Sequence, residues 1–97
     1  MKIDQIRQVT SLEGKTAVVT GGSRGIGRAT AKLLARVGIK VAVVARTTAD
    51  VKEVADEIRG AGGCALAISA DISEWGAVQK LVKETQRALG PVDILVA

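Results

Sequence analysis

Thr20-Gly21-Gly22-Ser23-Arg24-Gly25-Ile26-Gly27 follows the apolar run Thr16-Ala17-Val18-Val19 and leads into the periodic segment from Arg28 to Val37. A strand ends, a tight turn follows and a helix begins. Glycines at 21, 25 and 27 permit backbone angles that a side chain would forbid, and let a ligand and the helix approach the chain closely. The first N–H groups of the helix have no partner within it, and with the summed peptide dipoles they make a site for phosphate. Spacing narrows the ligand. The order is Gly-x3-Gly-x-Gly, so it is neither Gly-x4-Gly-Lys-Ser/Thr, which places a lysine for a nucleoside triphosphate, nor the commoner Gly-x-Gly-x-x-Gly. A purely structural strand-to-helix turn also uses glycine and stays open on this evidence alone.

Outward from this turn, strands and helices alternate. The first strand covers about Lys15 to Thr20 and is apolar on both faces, as a central strand of a covered parallel sheet is. A helix over Arg24 to Val37 follows, with Ile26, Ala29, Leu33, Leu34 and Val37 as its stripe and Gly38 as its stop. Arg28, Lys32 and Arg36 lie opposite, and read as a solvated face rather than a binding patch.

Ile39 to Ala45 is a second strand; Thr47 caps a helix in which Val51, Val54, Ala55 and Ile58 recur at helical spacing up to Gly60. Cys64 to Ala70 is a third strand. Ser73 caps a helix that turns Trp75, Val78, Leu81, Val82 and Leu89 inward and stops at Gly90-Pro91, and a fourth strand starts at Val92. Ile3 and Ile6 allow a short helical turn ahead of Leu12-Glu13-Gly14-Lys15. No hairpin signal interrupts the alternation, so right-handed crossovers give an α/β, doubly wound parallel sheet in the order 3-2-1-4.

Composition sets the bounds. The 97 residues, 47% of them hydrophobic, suffice for one domain, and with one Trp and neither Tyr nor Phe the core must be Val, Ile, Leu and Ala. Residues 1 to 46 carry nine Lys/Arg against two acids, and residues 47 to 97 five against eight, so the halves are +7 and −3. Scattered cations without aromatics for base stacking suit an anionic small molecule better than nucleic acid. The single Cys64 forms no internal disulfide and reads as a buried, reduced thiol; with no histidine, a metal site is not expected. No signal peptide or membrane-length apolar run is seen, which points to a cytoplasmic protein without membrane partners.

The turn with its preceding Thr20 resembles the Thr-Gly-x3-Gly-x-Gly motif of the short-chain dehydrogenase/reductase family, and Arg46, Asp71 and Asp93-Ile94-Leu95-Val96-Ala97 match three further positions. The last resembles the strand before the family's Asn-Ala-Gly motif, so residues 1 to 97 are expected to be a Rossmann-type dinucleotide-binding domain cut at the end of its fourth strand. The resemblance implies that Gly21, Ser23, Gly25, Ile26 and Gly27 hold a pyrophosphate. Arg24 and Arg46, with Thr47 beside it, then meet the 2′-phosphate of NADP where an NAD enzyme has an acid. Asp71 and Ile72 would read the adenine, although Asp71 as part of the Ser73 cap is the competing reading, and two ordinary surface arginines the competing reading of Arg24 and Arg46.

NADP is therefore expected ahead of NAD, in an enzyme that moves hydride between the nicotinamide and a carbonyl or alcohol substrate, and forms a homo-oligomer. The family's catalytic Tyr-x-x-x-Lys pair has no counterpart, because the chain contains no tyrosine, and no turnover is expected from these residues alone. A non-catalytic dinucleotide-binding module, and an interaction protein that pairs through the edge of its fourth strand, are the alternatives. That strand is apolar on both faces, and in isolation is expected to self-associate.

Overall fold

The computed structural model describes residues 12–97. The Ile3 and Ile6 turn lies outside the described residues. Four strands, β1 (Thr16–Thr20), β2 (Lys40–Ala45), β3 (Ala65–Ser69) and β4 (Ile94–Val96), alternate with α1 (Gly25–Arg36), α2 (Thr48–Gly60) and α3 (Trp75–Leu89). The sheet is parallel throughout in the order β3-β2-β1-β4, as expected, with Val18 beside both Ala42 and Leu95. The steps from β1 to β2 and from β2 to β3 run in one direction. Right-handed crossovers therefore lay α1 and α2 on one face, and the reversed step to β4 lays α3 on the other.

Period-2 alternation divides the core accordingly. Ala17, Val19, Val41 and Val43 face Ala31, Ala35, Val51, Val54 and Ile58 of α1 and α2, whereas Val18, Ala42, Val44 and Ile68 face Leu81 and Leu89 of α3. The sheet's other end is tied by Asp93. Its Oδ2 accepts the Thr16 N–H at 2.9 Å and its own N–H donates to the Thr16 carbonyl at 2.9 Å. This clamp delays β4 to Ile94, two residues after the expected start. The Thr16 hydroxyl donates to the Leu89 carbonyl at 3.0 Å, and Lys40 Nζ donates to the same oxygen, fixing the end of α3 to β1 and β2.

Helix registers depart from expectation where large residues had been assigned inward. In α1, Ile26 is 87% exposed and Leu33 is also exposed, while Ala31 and Ala35 are buried. At 100° per residue Ile26 and Leu33 lie about 140° and 160° round the helix from Ala31, on its outer face, while Leu34 packs beside Ala31 and Ala35 against the core. Trp75 is 71% exposed: it sits six positions before Leu81, about 120° round the helix from it. Thr85 takes an inward place instead, its hydroxyl donating to the Leu81 carbonyl at 2.8 Å, so burial leaves no polar atom unpaired. Cys64 is exposed rather than buried, since it precedes the edge strand β3 and falls on the face opposite Ala65.

The caps differ too. Thr47 occupies the N-cap of α2 without a side-chain hydrogen bond, and Glu74, not Ser73, is the N-cap of α3. Gly38, at φ +93°, ends α1 with its N–H on Ala35 and that of Ile39 on Leu34; Gly62 repeats this arrangement after α2, two residues past Gly60.

Arg28 and Lys32, expected to be a solvated face, instead bind α1 to α2. Arg28 pairs with Glu57 and with Glu53 at 3.6 Å, and Lys32 Nζ meets Glu57 at 3.0 Å. The Arg28 and Lys32 donors hold the Glu57 carboxyl below its ordinary value. A lowered folded-state value means that the unfolded chain takes up the proton first. The contribution of Glu57 is therefore complete at neutral pH and is lost as pH falls below about 4.3 and through the lower folded value. Glu57→Gln should lower stability at pH 7 and flatten its decline from pH 5 to pH 3, measured by urea titration at several pH values. Parallel pH profiles for the two proteins would contradict this role.

Candidate functional site

The turn and the ends of β2 and β3 meet at one edge of the sheet, beside the β1/β4 boundary where strand order reverses. Thr20 closes β1 with its hydroxyl donating to the Val96 carbonyl at 3.3 Å. Gly21 and Gly25 adopt φ of +67° and +53°, which favour glycine. The Gly22 N–H donates to Val44 at 3.2 Å and ties the turn to β2. At Gly27 the reason for glycine is contact: a Cβ would lie 2.2 Å from the Gly21 carbonyl oxygen. The helix is thereby seated directly on the turn.

Arg24 is the N-cap of α1 in extended backbone, with no side-chain hydrogen bond to the helix start, and the first turn contains no acid. That end keeps its partial positive charge toward the edge. Ser23 is half-buried within the turn, and Ile26 projects outward.

At the end of β2, Arg46 extends into solvent with Nη2 3.7 Å from Asp71 Oδ1, and its carbonyl accepts the Ser69 hydroxyl at 2.7 Å. Thr47 follows, exposed. At the end of β3, Asp71 Oδ1 accepts both the hydroxyl and the N–H of Ser73, at 2.7 and 3.0 Å. These two bonds, helped by Arg46, hold its carboxyl below the ordinary carboxylate value. Ser73 thus binds Asp71 instead of capping α3, so the local reading of Asp71 is partly realised.

Gly21, Arg46 and Ile72 line one open hollow of about 200 Å³ with Val44, Ala45 and Ala70. Asp71 adjoins it through Arg46. Arg24 is not among its walls: its Nη2 lies 3.5 Å from Asp50 Oδ2, in the first turn of α2. Asp50 is the site-edge residue that sequence reasoning missed. The available signal was its place four residues after Arg46. Among the described residues no cluster of acids or cysteine could hold a metal ion, and no helix is long and apolar enough to cross a membrane.

A doubly wound parallel sheet with a glycine-rich turn at its switch point defines the class of fold and site. The family description "short chain dehydrogenase" matches residues 15–97, and the chain belongs to that family of oxidoreductases. It is 52% identical over 85 residues to a short chain dehydrogenase of Pseudocercospora fijiensis, covering 88% of this chain and 28% of that protein. Among solved structures it resembles the citronellol catabolism dehydrogenase of Pseudomonas aeruginosa, with a TM-score of 0.83 and 38% identity over 87% of this chain and 35% of the other. A metagenomic short-chain oxidoreductase in complex with NADP has a TM-score of 0.81 and 40% identity, over 88% of this chain and 38% of that one. The chain spans about a third of the length of the relatives it matches.

Proposed function

We propose that this chain forms the cofactor-binding part of an NADP-preferring oxidoreductase acting on a carbonyl or alcohol substrate. The observation that carries this reading is Arg46 at the end of β2, on the rim of the hollow that Gly21 also lines. The residues fit such a cofactor: Gly27 seats α1 where only a missing Cβ permits, and the end of β2 presents a guanidinium where an acid would repel a phosphate. NADPH supplies the hydride when bound; these residues bind and orient it.

In this reading the N–H groups of Gly25, Ile26 and Gly27 receive the pyrophosphate over the turn formed by Gly21 and Ser23. Arg24 and Arg46 clamp the 2′-phosphate, with Thr47 flanking it at the start of α2. Ser73 and Arg46 engage Asp71 Oδ1, so Oδ2 is the oxygen turned to the adenine amino group, and the Ile72 N–H serves a ring nitrogen.

A hydrogen bond to a charged group contributes about 1.5–3 kcal/mol, so losing one arginine should reduce the NADP-over-NAD preference on the order of ten- to a hundredfold. Calorimetric titration of Arg46→Ala and Arg24→Ala with both dinucleotides checks it. Equal affinities in the unchanged protein, or an unaltered ratio in both variants, would overturn the reading.

A further inference from the structure

The N-termini of α1 and α2 both open on the edge that carries the glycine turn, and one ion pair spans them. Arg24, the residue before α1, reaches Asp50 in the first turn of α2 with a single Nη2 to Oδ2 contact of 3.5 Å. The partners are unequally held. The Arg24 side chain is 84% exposed and that of Asp50 32%, so the carboxylate is the anchored member and the guanidinium is drawn to it. We propose that Asp50 is a specificity-determining residue: it competes with the cofactor's 2′-phosphate for Arg24, and so sets how strongly a 2′-phosphorylated dinucleotide is preferred. This rests on the cofactor reading above.

The competition follows from geometry and charge. A guanidinium has one planar fork, and its strong bonds to carboxylate or phosphate are bidentate. The Arg24 to Asp50 contact is single, long and solvated, which makes it a weak pair that a 2′-phosphate can displace. While it persists, it subtracts from what Arg24 gives the phosphate. An adenosine without that phosphate does not need Arg24, and is indifferent to Asp50.

Asp50 also has a place in the helix: an acid in the first turn favours the start of α2. A structural role alone would change the binding of every nucleotide in parallel. The competitive role changes one ratio, that between adenosine 2′,5′-bisphosphate and 5′-AMP, which differ by the 2′-phosphate only.

The test is calorimetric titration of both nucleotides into the unchanged protein, Asp50→Asn, Asp50→Ser, Arg24→Ala and the double variant Asp50→Asn/Arg24→Ala. Serine also suits the first turn of a helix, so one of the two neutral variants remains informative if the other unfolds. Neutralising Asp50 should tighten the bisphosphate by about two- to fivefold, the range for an exposed pair, and leave 5′-AMP unchanged. The gain should vanish in the Arg24→Ala background. A gain that survives there, an equal gain for 5′-AMP, or no gain in either neutral variant overturns the competitive role. Failure of the cofactor reading shows separately, as equal affinities of the unchanged protein for the two nucleotides, whereas an unaltered ratio in Arg24→Ala alone overturns the competitive role.

Discussion

Gly27→Ala should lower the melting midpoint by about 10 °C or more and abolish dinucleotide binding. Helix propensity alone argues the other way, since alanine in a helix is favoured over glycine by about 1 kcal/mol. Contact decides the sign. A Cβ at 27 would lie 2.2 Å from the Gly21 carbonyl oxygen, 2.9 Å from its carbon and 3.2 Å from Gly22 Cα, all backbone atoms that no rotamer change can move. Either α1 lifts from the turn or the turn unwinds, and both open the seat on which, in the proposed function, the helix start receives the pyrophosphate. Forced overpacking costs about 1–3 kcal/mol or more, and each kcal/mol shifts the midpoint of a domain of this size by about 4–8 °C. Gly25→Ala is the control. Its φ of +53° imposes about 1–2 kcal/mol of strain, but its Cβ would meet nothing within 4 Å. Thermal melting of the two variants, with nucleotide titration, should place Gly27→Ala clearly lower; a midpoint within a few degrees of the unchanged protein would contradict the contact.

The second large effect belongs to Ile39→Ala, expected to destabilise by about 2–5 kcal/mol. Ile39 is 1% exposed in the cluster shared by β1, β2, α1 and α2. Its N–H also reaches Leu34 at 3.1 Å, so the same residue closes α1 beyond Gly38 and fills the space below it. A small domain has a total stability of roughly 5–15 kcal/mol, so this loss approaches unfolding. Ile39→Val keeps most of the volume and should cost about 0.5–1.5 kcal/mol. Urea unfolding of both checks the difference, and an Ile39→Ala protein within 1 kcal/mol of the unchanged one would contradict a packed position.

The sheet order was legible because two things coincided in the sequence: apolar runs such as Ile39 to Ala45, and helical segments between them. Handedness then left one arrangement. The glycine turn was legible for the same reason, since its spacing states a backbone geometry directly. What escaped reading depends on distances between elements. Ile26 and Leu33 matched a helical stripe, yet docking turns the side of α1 that carries Ala31 and Ala35 to the sheet and leaves those two on the outer side. Arg28 and Lys32 looked solvated until α2 brought Glu57 alongside. Arg46 and Asp71, named separately, lie 3.7 Å apart only because β2 and β3 are neighbours. Asp50 carries no motif at all; its meaning comes from Arg24, 26 positions away in the chain.

A crystal structure with NADP bound is the most direct measurement of where this sheet edge holds a cofactor. The expected result has the pyrophosphate over the N–H groups of Gly25 to Gly27 and the 2′-phosphate within hydrogen-bond distance of the Arg24 and Arg46 guanidinium groups, with Arg24 released from Asp50. A 2′-phosphate pointing into solvent, away from both arginines, or a dinucleotide bound elsewhere on the sheet, would contradict it.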